Sequence, residues 1–158
     1  MGFALSNMQL TSEAFVTGGT IPPKYTGEGT DVSPPLGWNA VPQATASFVI
    51  LCHDPDAPLV TSNQYGFVHW VLYNIRGSVG GLGEGSSDYT PGKNDFGNHA
   101  YGGPMPPEGH GNHHYFFWLM ALDSALDLEP GLRMAELLPR IEPNVIAMNR
   151  LVGVYRRD

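Results

Sequence analysis

The chain has one cysteine, Cys52, so no internal disulfide can hold it together. Lysine is nearly absent, with only Lys24 and Lys93, and the 8 lysines and arginines face 15 aspartates and glutamates, giving −7 with histidine neutral. With no basic stripe, a nucleic-acid backbone or a broad anionic membrane surface is excluded as the main partner. No apolar run approaches the ~18 residues of a membrane span. The opening Met-Gly-Phe-Ala-Leu-Ser is too short and uncharged to be a signal peptide. It does fit the myristoylation pattern at Gly2 and Ser6, a pattern short enough to arise by chance. The default expectation is a cytoplasmic protein. Spacing-specific metal signatures are missing: there is no cysteine pair and no His-Glu-x-x-His. A Gly-x-Ser-x-Gly nucleophile elbow is missing as well.

What the chain has in excess is backbone punctuation. The 20 glycines and 14 prolines make up about a fifth of its 158 residues, against a usual share of roughly 12 %. Both are poor in helix interiors, which argues against a helical bundle. The apolar content of 42 % is too high for disorder. The expectation is one loop-rich, mainly β domain over residues 1–158, without an internal repeat.

Three strands are predicted. Phe48-Val49-Ile50-Leu51-Cys52 is apolar without alternation, as in a strand buried on both faces. A second runs from about Phe67 to Ile75 and a third from about His113 to Leu122, the latter too aromatic for a preferred helix. Residues 77–111 form a long Gly/Pro-rich connection in which Tyr89, Phe96 and Tyr101 argue for ordered packing. Near the C-terminus, Met134, Leu137, Leu138, Ile141, Val145 and Met148 sit at helical spacing. Pro139 and Pro143 divide this stretch into helical pieces at 133–141 and 144–150, with a last strand at 151–155. Strands first and helix late suggest an antiparallel sheet with peripheral helices.

Polar clusters fall where the apolar pattern predicts interior. Asp54 and Asp56 lie in His53-Asp54-Pro55-Asp56-Ala57-Pro58, at the end of the first strand. His69 lies inside the second strand, and His110-Gly111-Asn112-His113-His114-Tyr115 enters the third. Strict alternation puts Phe67, His69, Val71 and Tyr73 on one face, and His113, Tyr115 and Phe117 on one face of the third strand. In a common sheet His69, His113 and Tyr115 converge, and Asp54 joins them from the adjacent strand end. Two imidazoles, a phenol and backbone N–H groups suit a small anion such as phosphate or carboxylate, with Asp54 orienting an imidazole. Two other readings stay open: a hydrolase with His69 or His113 as general base, and a metal-binding module.

Read together, these residues fall into blocks. The first are Gly19-Thr20-Ile21-Pro22, Lys24-Tyr25-Thr26-Gly27 and Asp31-Val32-Ser33-Pro34-Pro35-Leu36-Gly37-Trp38. Then come Asp54-Pro55-Asp56-Ala57-Pro58 and His69-Trp70-Val71-Leu72-Tyr73-Asn74-Ile75. The last are Gly92-Lys93-Asn94-Asp95-Phe96-Gly97, Tyr101-Gly102-Gly103-Pro104-Met105-Pro106-Pro107 and Gly111-Asn112-His113-His114-Tyr115-Phe116-Phe117. In this order, over about residues 15–155, the chain resembles the phosphatidylethanolamine-binding protein (Raf kinase inhibitor-like) family, most closely its bacterial and archaeal branch.

The resemblance implies a large antiparallel sheet, a smaller sheet and short C-terminal helices. It also implies a surface pocket for phosphate-like and other small anionic groups, phospholipid headgroups included. Carried over residue by residue, that pocket is lined by Asp54, His69, His113 and Tyr115. The Gly103–Pro107 loop, with Gly103, Pro104 and Pro106, forms a wall and offers backbone donors. Asp56, Trp70, His110 and His114 support it. A binding or regulatory role without catalysis or cofactor follows, and a protein partner or a homodimer is compatible with it. Two departures stand out. His114 occupies the position where the family usually has arginine, so a titratable group replaces a permanent charge. Gly27 and Met105 stand where many bacterial relatives carry cysteine.

Overall fold

The fold is described from a computed structural model, over residues 2–58 and 65–158. Eight strands and one helix follow in order: β1 (Gln9–Thr11), β2 (Leu36–Asn39), β3 (Ser47–Asp54), β4 (Phe67–Arg76), β5 (Gly81–Leu82), β6 (Thr90–Pro91), β7 (His113–Leu122), α1 (Met134–Ile141) and β8 (Val145–Tyr155). All strand pairings within the sheets are antiparallel. The large sheet has the order β6-β4-β3-β7-β8 and the small one β1-β2-β5. The mainly β expectation and the two sheets are therefore observed.

β3 is the centre of the large sheet, flanked by β4 and β7, and all its residues but His53 are buried or nearly so. This is why its sequence is apolar without alternation: both faces are covered. One face packs against the small sheet. Phe48, Ile50, Cys52, Trp70, Leu72, Tyr115 and Phe117 meet Leu10, Leu36, Trp38 and Leu82 there. The other face, with Val49, Leu51, Val71, Tyr73 and Met120, is covered by Leu137 and Ile141 of α1 and by Leu128 and Leu132. In α1, Glu136 accepts the Arg133 backbone N–H at 3.0 Å and closes the first turn. The 77–111 connection carries β5 and β6, and Tyr89 and Tyr101 pack against the core. Among the described residues, no helix is long and apolar enough to cross a membrane.

Two expectations are corrected. The helix expected over residues 144–150 is absent: a single 3-10 turn, Glu142–Asn144, leads directly into β8, which pairs with β7 along nearly its whole length from Ala121↔Ala147 to His113↔Tyr155. Val145 and Met148 face one core while Ala147 and Leu151 face the other. A strand buried on two faces need not alternate, and here its apolar residues happen to fall at helical spacing. The second correction concerns β4. Cys52 pairs with Trp70 but the next residue, His53, pairs with Val68, so His69 is an extra residue in a β-bulge. Strict alternation would put His69 with Val71 and Tyr73. The bulge turns it, with Phe67, to the side of Trp70 and Tyr115 instead.

Candidate functional site

The bulge is what opens the site. His69 projects from β4 across the end of β3 and meets the Tyr115 ring of β7 edge-on, with centroids 5.2 Å apart. Asp54 ends β3 between them, and His113 begins β7. These four residues line a cavity of about 140 Å³ together with Ala57, Pro58, Phe67, Phe96, Met105, Pro106 and Pro107. Asp54, His69, His113 and Tyr115 do line one cavity, but the bulge and not strict alternation brings His69 there.

Each polar group has a defined state. Asp54 is 2 % exposed. Its Oδ1 accepts the Asp56 backbone N–H at 2.8 Å, an Asx turn that fixes the start of the Asp-Pro-Asp loop. Its Oδ2 accepts the Nδ1–H of buried His113 at 2.7 Å. That bond leaves His113 Nε2 as an acceptor in the neutral ring, and His110 Nδ1 lies 3.0 Å from it. A chain of contacts thus runs from Asp54 through His113 to His110, which is exposed.

His69 donates from Nδ1 to the Gly102 carbonyl at 2.7 Å. Burial pushes its pKa below the ordinary value, and this outweighs the opposing pull of the Gly102 carbonyl and Asp54. At neutral pH the ring is therefore neutral, with Nε2 unprotonated. Tyr115 is fully buried, and its hydroxyl makes no well-formed hydrogen bond among the described residues, its nearest polar neighbour being the Asp54 carboxylate. Burial, and then the charge of Asp54, pushes its pKa far up, so it stays a phenol. A poorly paired hydroxyl beside a cavity is a costly arrangement that a bound polar group would relieve.

The supporting residues divide. His110 reaches His113. His114 is exposed and held outward, because its backbone N–H and Nδ1 both bond Asp56 Oδ2 at 2.7 Å. Burial raises the Asp56 pKa, but the contacts from His114 outweigh it and hold the carboxyl below its usual range. Trp70 is buried in the inter-sheet core, edge-on to Tyr101, and does not line the cavity.

The wall differs from the expectation. Gly103 and Pro104 face away from the cavity. The Gly103 N–H donates to Asp31 Oδ1 at 2.7 Å, and the Pro104 carbonyl accepts the Gly27 N–H at 2.9 Å. Gly103 lies so close to the Tyr25 carbonyl that an added Cβ would sit 2.2 Å from it. The wall itself is Met105, Pro106 and Pro107. Since prolines have no N–H, the stretch offers the cavity at most the Met105 amide as a backbone donor.

Phe67 and Phe96, not singled out from the sequence, complete the apolar side, with ring centroids 4.6 Å apart and Phe96 5.5 Å from His69. The signal for Phe67 is its spacing of two from His69. For Phe96 the only signal is an aromatic ring inside a glycine-rich loop. No lysine or arginine lines the cavity. Among the described residues no group of three or more His, Cys, Asp or Glu side chains is placed to hold a metal ion. Cys52 is fully buried, and burial pushes its thiol pKa well up.

This architecture has close counterparts. A protein of Chlamydia trachomatis, described as a putative phosphatidylethanolamine-binding protein homolog, superimposes with a TM-score of 0.89 at 38 % identity, over 97 % of this chain and 100 % of its own. Escherichia coli YbcL, described as a new member of the mammalian family of that name, does so with a TM-score of 0.87 at 30 % identity, over 97 % and 100 %. In sequence, a UPF0098 protein of Methanothermobacter thermautotrophicus is 41 % identical over 95 % of this chain and 99 % of its own length. One of Aquifex aeolicus is 40 % identical over 96 % and 90 %. The sequence model of the phosphatidylethanolamine-binding protein family matches residues 11–156. Fold and sequence agree, and the chain belongs to the phosphatidylethanolamine-binding protein family.

Proposed function

We propose that the protein binds a small phosphate-bearing or other anionic group in the Asp54–His69–His113–Tyr115 cavity. It then acts by holding that ligand or presenting it to a protein partner, not by turnover. The observation that carries this reading is the convergence of two imidazoles, the Asp54 carboxylate and a buried Tyr115 hydroxyl without a well-formed hydrogen bond on one cavity of about 140 Å³. That volume is well under the roughly 300–1,000 Å³ of sites for drug-sized ligands, which favours a headgroup over a whole lipid or nucleotide. Against a hydrolase, no described hydroxyl or thiol bonds His69 or His113, and Cys52 is held protonated by burial.

Electrostatics adds a condition. With no lysine or arginine in the lining and Asp54 present, charge for an anion must come from protonating an imidazole. Binding is therefore coupled to proton uptake and strengthens as pH falls. Titration of phosphate, and separately of phosphorylethanolamine, followed by the imidazole resonances of His69 and His113, tests the reading. Both rings should shift, with tighter binding at pH 6 than at pH 8. Unchanged spectra at millimolar ligand would overturn it.

A further inference from the structure

Two residues beyond the end of β8, Arg157 turns back over the loop that builds the cavity wall. Its Nη1 donates to the Pro106 carbonyl and its Nη2 to Glu108 Oε1, both at 3.2 Å. Its Nε lies 3.4 Å from Glu28 Oε2. The Gly109 N–H donates to the Arg157 carbonyl at 3.0 Å. The side chain is only 20 % exposed, unusually covered for a charged residue. Glu28 is itself fixed by the Tyr155 hydroxyl, which donates to its Oε1 at 2.6 Å.

We infer that Arg157 is the positioning residue of the ligand cavity, a latch that ties the Met105–Gly109 wall to the rigid end of β8. The inference rests on the ligand-binding reading above. It draws on two independent features of the wall. First, residues 103–109 have few anchors of their own. Three prolines donate nothing; Gly103 and Pro104 are held at one end by Asp31 and Gly27 and Gly109 at the other by the Arg157 carbonyl, so Met105–Glu108 between them depend on side-chain contacts. Second, the same stretch runs into His110, whose backbone N–H reaches the Pro107 carbonyl at 3.2 Å and whose ring contacts His113. A wall that drifts outward therefore widens the cavity beside Met105 and Pro106 and carries His110 away from His113. The planar guanidinium suits this task, because it donates to a carbonyl and one carboxylate in fixed directions while lying at ion-pair distance from a second. Without it, Glu28 and Glu108 are left on either side of the gap with no cation between them.

The test compares wild type, Arg157→Ala and Arg157→Lys, each measured for inorganic phosphate affinity, melting temperature and exchange of the Gly27 amide without ligand. Arg157→Ala should raise the Kd about tenfold, the loss of roughly one charge-assisted anchor. Arg157→Lys should fall between, since an ammonium reaches fewer of the three oxygens at once. Protection of the Gly27 amide should drop in Arg157→Ala and return in part in Arg157→Lys. A wild-type Kd in Arg157→Ala overturns the inference, as does a loss equal in the two variants that merely follows their melting temperatures. If Arg157→Ala does not fold, a wild-type Kd in Arg157→Lys overturns it and a raised one supports it. If wild type itself takes up no phosphate, the ligand reading falls alone. The latch is then decided by Gly27 exchange, and unchanged protection overturns it.

Discussion

Replacing Tyr115 by phenylalanine should make the free protein more stable and the liganded protein less so. The hydroxyl is buried beside the Asp54 carboxylate without a well-formed hydrogen bond among the described residues, and leaving such a group poorly paired costs about 1–3 kcal/mol. Phenylalanine keeps the edge-on contact with His69 and removes only the oxygen, so almost no cavity is added. Because the ring borders an open cavity, the lower part of the range applies, a gain of about 1–2 kcal/mol. At roughly 2.1 cal/mol/K per residue, the unfolding entropy of this chain is about 0.33 kcal/mol/K. The melting temperature of Tyr115→Phe should therefore rise by about 3–6 °C in phosphate-free buffer. Phosphate at about ten times its Kd should add roughly 1.4 kcal/mol to wild type, about 4 °C, and clearly less to the variant. Calorimetry with and without phosphate reads both arms. A variant that melts lower than wild type without ligand would refute the reasoning, because the hydroxyl would then have to be well paired in the free protein.

Two further outcomes follow from the same geometry. Burial holds folded His69 below the ordinary 6.5, while the unfolded chain protonates it near that value. Its contribution to stability is thus complete above pH 6.5 and is lost as pH falls through the folded value. In phosphate-free buffer, His69→Gln should lose less of its urea midpoint between pH 6.5 and 5 than wild type does, and identical slopes would remove this account. Separately, a Cβ built on Gly27 would lie 3.2 Å from Met105 Cβ, within a few tenths of an ångström of the roughly 3.5–4.5 Å that disulfides span. The double variant Gly27→Cys, Met105→Cys should oxidise spontaneously. Closing a loop of about 80 residues should stabilise it by up to about 4.5 kcal/mol, seen as a melting temperature lowered by reductant. Free thiols after air oxidation would show that the wall stands further from residue 27.

Much of the site was legible because its residues are chemically out of place. A histidine among Phe67, Val68, Trp70 and Val71, and an aspartate two residues after the apolar run Phe48–Cys52, are visible without coordinates. Strand β3 was legible too, since burial on both faces writes itself as an unbroken apolar run. What sequence could not supply was pairing. β8 is a strand because β7 offers it ten partners, and nothing local to Val145–Arg150 distinguishes that from a short helix. The wall was misread for a related reason. Gly103 looked like a ligand-facing glycine, yet its missing Cβ makes room for the Tyr25 carbonyl and not for a ligand. His114 follows its strand parity, opposite His113, and Asp56 holds it outward.

The bulge in β4 deserves to be followed into sequence variation. On a regular strand the two faces are assigned by counting odd and even positions, and only one inserted residue lets His69 and Trp70 fall on the same side. The chemistry of the cavity is therefore set by a count as much as by a residue type. Deleting a single residue between Phe67 and Trp70 would leave a strand of ordinary composition and length. It would also put Val68 or a displaced imidazole where His69 now stands. Relatives that keep every polar residue of the site but lose this one position would look intact in composition, and their cavity would open onto a different side chain.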